Sequence, residues 1–225
     1  MTALAPTGHR VCGVAREHGP VRALAALYDG TGVDVLHCGP GGHALAPLAV
    51  AHDATRLCLA GTVVDRDTAA ETVLTPSALD GLDLIAIRAR ATLGGPPRMC
   101  RRWALALAWL RLGLAQSLLS TCLGYLRART VAGTPLVNQQ LVKGTLADAV
   151  VEHSIVETVL AGADPDGLSG RALTDLHHQL TAADRMLLRL LGASGFVAAG
   201  PATVSYVSEL FADVYVRGTD DGPAG

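Results

Sequence analysis

Aromatic side chains are scarce: two Trp, four Tyr and two Phe make up 4% of the 225 residues. A core must then be filled by small aliphatic groups, and Ala, Leu, Val, Gly and Arg dominate the chain, which suits closely packed helices. An excess of one charge is lacking too. The 18 Lys and Arg and 20 Asp and Glu leave a net −2 and are interspersed, so no basic stripe is available for DNA or RNA. A membrane span wants a stretch of about 20 apolar residues with few or no charges. The most apolar stretch here, 103–119, is interrupted by Arg111 and Gln116 and predicts a buried helix. The opening Met-Thr-Ala-Leu-Ala, soon followed by His9 and Arg10, lacks the ordered charged, apolar and cleavage regions of a secretory signal. A cytoplasmic protein is the expectation.

Paired metal or redox spacings are missing as well. Cys12, Cys38, Cys58, Cys100 and Cys122 are odd in number and form no CxxC pair, so they predict buried free thiols rather than metal ligands or disulfides. Neighbours on a helix point about 100° apart, so His177 and His178 predict surface positions and not a shared metal. Glu152, His153 and Glu157 read the same way. Ser117, Ser120 and Thr121 have no histidine and acid in a recognisable triad order, so a nucleophilic hydrolase is unsupported. Residues 39–42 are glycine-rich but lack the frame and the lysine of a phosphate loop.

What is present falls into two parts. Short apolar runs at 21–28, 33–38, 44–51, 55–59 and 62–64 are divided by turn-type residues, with Asp29-Gly30-Thr31-Gly32 as a hairpin connection. They predict a small antiparallel sheet. Thr75-Pro76-Ser77 offers a capped turn, and 82–91 fits helix or strand equally, because a short apolar run does not reveal its period. Gly94-Gly95-Pro96-Pro97 makes a boundary, giving expected domains at 1–95, β-rich, and 96–225, helical. Helices are predicted over 98–128, 135–162, 171–191 and 201–216, the third opened by Ser169 or Gly170 and stopped at Gly192. Together they imply an antiparallel bundle.

The stretch 125–148, YLRARTVAGTPLVNQQLVKGTLAD, joins the first two of these helices. Gly133 can take φ > 0 and Pro135 suits a first helical position, so the chain should reverse here as an αα-hairpin. Arg129 fits either of two roles there, capping helix carbonyls or binding a phosphate through its planar fork. Gln139 and Gln140 read equally as first-turn surface or as ligand contacts.

Arg129, Gly133, Pro135, Leu136, Gln140, Leu146, Ala147 and Asp148 share a register with the helix-turn-helix of the acyl-CoA dehydrogenase family, which this stretch resembles. A second likeness is Leu190-Leu191-Gly192-Ala193-Ser194-Gly195-Phe196, similar to that family's Gly-rich bend. Residues 24–42 and 47–65, with His52-Asp53-Ala54-Thr55-Arg56, resemble the later half of its β-domain more loosely. The resemblance implies a mainly α fold: an antiparallel bundle of the acyl-CoA dehydrogenase C-terminal type, preceded by a small β-sheet remnant. It also implies FAD as cofactor, contacted by Arg129, Gln139, Gln140, Arg189 (where the family has glutamine) and Gly192 across a subunit interface. The implied activity is α,β-desaturation of an acyl thioester on CoA or an acyl-carrier protein. The implied partners are further copies of this chain or a full-length dehydrogenase.

The chain departs from that pattern in three respects. Arg217 stands where the family's catalytic glutamate precedes a Gly-Thr pair, and 98–108, the alternative place for the base, holds no acid. Ala132 replaces an aromatic residue. The family's N-terminal helical domain and first β-domain half have no counterpart, so a truncated subunit or a repurposed, non-flavin binding module are both open.

Overall fold

The computed structural model describes residues 4–32, 34–74, 79, 81–90, 99–164, 167–196 and 200–216. The expected turn at 75–77, the boundary at 94–97 and the glutamate-equivalent position 217 lie outside them. Among the described residues the order is α1 (Leu4–Thr31), β1 (Val35–Cys38), β2 (His43–Pro47), α2 (Leu48–Asp53), β3 (Arg56–Leu59), β4 (Thr62–Asp65), β5 (Glu71–Leu74), β6 (Leu84–Ala89), α3 (Arg101–Ala128), β7 (Thr130–Val131), β8 (Thr134–Pro135), α4 (Gln140–Gly162), α5 (Gly170–Leu191) and α6 (Pro201–Tyr215). The chain is mainly α with small sheets, as expected.

Helix α3 is the axis. Between Trp103 and Ala115 only Ala106 is not buried, and α1, α4, α5 and α6 all pack against it. It is long and apolar enough to cross a membrane, yet 67% of its most apolar stretch is buried inside the fold, the mark of a core helix. At Gly113 an added Cβ would stand 2.2 Å from the carbonyl oxygen of Cys12, so glycine is what lets α1 and α3 meet backbone to backbone.

Helix α1 overturns one expectation. Residues 21–28 form no strand and 29–32 no hairpin; residues 21–31 belong to the second arm of α1, which bends at Gly19 (φ 78°) before Pro20. Proline disfavours a helical residue ahead of it and itself suits a helix start, so the dipeptide ends one arm and opens the next. The bend is sharp. Arg10 Nη2 donates to the carbonyl of Ala26 at 3.1 Å, whereas sixteen residues of straight helix would separate them by about 24 Å. Ala23, Leu24, Leu27 and Tyr28 are the buried stripe of the second arm.

The strands form two three-stranded sheets, ordered β1-β3-β4 and β2-β6-β5. The expectation of one antiparallel sheet is corrected at β1 and β3, which run parallel because α2 crosses between β2 and β3. Residues 84–89 are strand, resolving that ambiguity, and 48–51, the end of a run expected as strand, lie in helix α2. The β3–β4 hairpin turns on Ala60 (φ 50°) and Gly61 (φ 89°), both left-handed as its tight two-residue turn requires. Arg66 ties this layer together, pairing with both Glu71 oxygens (2.7 and 2.8 Å) and donating to the carbonyls of Ala51 and Ala54 at the end of α2.

Helix α6 returns from the end of the chain to the sheets. The Tyr215 hydroxyl donates to the carbonyl of Leu45 (3.0 Å) and accepts from its N–H (2.9 Å). Leu45 lies on β2, the edge strand of its sheet, so one side chain satisfies the edge's backbone. The main core runs through α1, the sheets and the first half of α3. A smaller one, Leu118, Cys122, Leu126, Leu146, Ala149, Leu187 and Leu191, fills the far end of the bundle.

Candidate functional site

Over that smaller core the ends of three helices converge. Helix α3 stops at Ala128, and β7 and β8 then form a short antiparallel hairpin. The hairpin turns on Ala132 (φ 50°) and Gly133 (φ 77°). Its register returns Leu136 to Arg129, with the Leu136 N–H donating to the Arg129 carbonyl at 2.8 Å. Helix α4 starts at Gln140 after a 3-10 turn, Leu136–Asn138. Pro135 is thus the last residue of β8 and not the first of the helix, because an extended ribbon closes the reversal before the helix begins.

Arg129 is extended (φ −100°, ψ 136°) at the C-cap of α3. Its guanidinium is exposed and lies 4.9 Å from the centre of the Tyr125 ring, and among the described residues its side chain makes no hydrogen bond. The capping role is therefore not the one the geometry realises. Gln139 and Gln140 are exposed at the start of α4, whose first turn carries no acid and whose N-cap makes no side-chain bond. The first-turn N–H groups are then left for solvent or an anion.

The Gly-rich bend closes the same end. Gly192 (φ 53°, ψ −141°) caps α5, its N–H donating to the Arg189 carbonyl. Arg189 and Gly192 are both exposed. Tyr125 and Ser194 hydroxyls meet at 2.9 Å, fastening the bend to α3 one turn before Arg129. All five residues singled out from the sequence therefore lie at one end of the bundle.

Other expectations are corrected. His177 is fully buried and not at the surface: Arg111, also fully buried, donates from Nη1 to its ring Nδ1 (2.9 Å) and its carbonyl (3.0 Å), from Nη2 to Thr181 Oγ1 (2.7 Å) and from Nε to Ser208 Oγ (3.0 Å). Arginine only donates, so Nδ1 accepts and Nε2–H must serve the Ala104 carbonyl at 3.0 Å, a neutral ring. Burial, with the Arg111 charge behind it, holds His177 down to about 3. Burial pushes the neighbouring Asp184 carboxyl up to about 7, against the pull of Arg111. His153 is buried too, and burial lowers it to about 4. No acid stands in the first turn of α3. Helix spacing alone could have exposed the two histidines as core positions, since both fall on the apolar stripe of their helices.

One grouping was invisible in the sequence. His37, Cys58 and Cys100 bring an imidazole and two sulfurs within 4.8 Å of one another.

Residues 101–163 match the model of the acyl-CoA dehydrogenase C-terminal domain. Among solved structures, FkbI for biosynthesis of a methoxymalonyl extender unit is 18% identical, with TM-score 0.55, covering 93% of this chain and 74% of that one. A glutaryl-CoA dehydrogenase from Mycobacterium smegmatis in complex with FADH2 is 17% identical, TM-score 0.52, covering 80% and 56%. An acyl-CoA dehydrogenase from Geobacillus kaustophilus is 16% identical, TM-score 0.52, covering 79% and 60%. The chain thus spans about three quarters of the first and little more than half of the other two. A search of curated proteins found no match.

Proposed function

We infer that this chain, acyl-CoA dehydrogenase-like in its fold and in residues 101–163, is part of a dehydrogenase-like subunit. It contributes to flavin-dependent α,β-oxidation of an acyl thioester on CoA or a carrier protein. The observation that supports this best is the exposed Arg129 guanidinium, without a hydrogen bond among the described residues, at the same end of the bundle as the uncapped, acid-free start of α4. Such a corner suits a diphosphate: a planar fork matches its oxygens, and helix N–H groups face its charge. FAD, when bound, supplies a hydride acceptor. The residues that would hold it are Arg129 at the diphosphate, Gln139 and Gln140 at the adenosine side, and Arg189 and Gly192 on the opposing bend.

All five are exposed, as suits a ligand shared with another subunit. Helix α4 also leaves Val151, Ile155 and Val159 exposed at four-residue spacing, an apolar stripe that supports a homo-oligomer or pairing with a full-length dehydrogenase. A second reading, a non-flavin binding module, is favoured by the missing acid in the first turn of α3.

The test is the visible spectrum and solution mass of the purified chain, alone and co-expressed with a full-length dehydrogenase. Flavin bands in a species of two or more chains are expected, with Arg129→Ala weakening flavin retention about tenfold or more and leaving the melting temperature nearly unchanged. A colourless protein in both preparations would sink the flavin reading in favour of the binding module.

A further inference from the structure

His37, Cys58 and Cys100 come from three different elements. Parallel pairing sets His37 directly opposite Cys58 on β1 and β3, and Cys100 is the N-cap residue of α3. Cys58 is buried, and His37 and Cys100 are partly so. The His37 ring is stacked flat on Trp103, centroids 3.9 Å apart and planes 4° from parallel, which fixes its orientation. Both ring nitrogens are buried without a hydrogen-bond partner. A neutral imidazole has one lone pair to give and one N–H to place, so leaving both unmet inside a fold is unfavourable.

The two sulfurs are unequal. Cys100 is held well below the usual thiol range, chiefly by the Cys58 thiol beside it, with His37 adding to the effect against the opposing influence of burial. Cys58 is pushed up correspondingly, first by Cys100 and then by burial.

We propose that His37, Cys58 and Cys100 form a binding site for a thiophilic metal ion, Zn2+ in a Cys2His set, with a fourth position left for water or a small ligand. Two thiolates and an imidazole are the donor set such ions select over Mg2+ or Ca2+. Zn–S bonds of about 2.3 Å and Zn–N bonds of about 2.0 Å in a tetrahedron set neighbouring donors roughly 3.5–3.8 Å apart. Donor atoms already within 4.8 Å therefore draw in by about 1.3 Å at most. The ion satisfies a nitrogen of His37 that the fold leaves unmet, and because thiols bind metal as thiolates, binding releases protons. It cross-links two strands of one sheet to the start of the central helix.

The experiment uses the full chain, reduced and metal-free, titrated anaerobically with Co2+ as the spectroscopic probe and then with Zn2+. One equivalent of Co2+ is expected to give thiolate charge-transfer bands in the near ultraviolet and d–d bands of tetrahedral intensity, which Zn2+ then abolishes. Cys58→Ser and Cys100→Ser should each weaken binding about 100-fold or more, whereas Cys122→Ser, in the other core, should leave it within about twofold. Circular dichroism and melting curves establish that each variant is folded. His37→Gln supplies an independent third ligand test. Absence of the bands in the reduced, folded chain would overturn the site, and so would bands that persist undiminished in the folded Cys58→Ser and Cys100→Ser chains.

Discussion

At the scale of single residues, the buried seam of α4 is Leu146, Ala149, His153, Val156 and Leu160, an alternating three–four spacing with one polar member. Both His153 nitrogens are buried without a partner, and burial lowers its pKa to about 4. Unfolded, the ring takes up a proton below about 6.5. The unfolded chain therefore binds more protons between those values, and stability falls as pH drops from 6.5 towards 4. His177 acts in the same direction, whereas Asp184, raised to about 7, loses stabilisation as pH climbs from about 3.8. His153→Leu should raise stability by about 1 kcal/mol at pH 7, since a buried unsatisfied group is removed. It should also flatten the acid limb. Urea melts at pH 7 and pH 5 read both effects, and a variant less stable at both would refute the assignment.

At the scale of elements, Arg111 binds α3 to α5 through His177 and Thr181 and to α6 through Ser208. Arg185 and Glu209 pair on the outside of the same α5–α6 seam. Removing the buried cation strands the His177 nitrogen and leaves Asp184 without its compensating charge. Arg111→Met should therefore destabilise the chain by about 3–5 kcal/mol in chemical denaturation, and a loss below 1 kcal/mol would mean the network contributes only packing. The long helices were legible because their caps are local: Ser169 accepts from the Ala172 N–H at 3.1 Å, and Gly192 stops α5. The first 31 residues were not legible, because the arms of α1 are short, similarly apolar on several faces, and joined by a Gly-Pro that reads as coil. Arg111 in an apolar run was visible as an anomaly, but its partners lie 66 to 97 residues away and no local pattern announces them.

At the scale of the whole molecule, the same contrast divides the sites. The Arg129 corner was readable because the hairpin, the two glutamines and the glycine bend are continuous segments at neighbouring helix ends. The thiol–imidazole cluster was not, because only the parallel pairing of β1 with β3 and the docking of α3 bring it together. Long-range contact also governs the sheet edge. Tyr215→Phe should leave both Leu45 backbone groups unmet, lower stability by about 1–3 kcal/mol, and promote concentration-dependent association through β2, seen by light scattering. A variant as stable and as monodisperse as the parent would show that the edge needs no hydroxyl. Tyr215 lies 170 residues after Leu45. At roughly 5–20 residues per second on a ribosome, β2 waits on the order of 10–30 s for that hydroxyl to be synthesised. Throughout that interval a neighbouring nascent chain competes with Tyr215 for the same N–H and carbonyl.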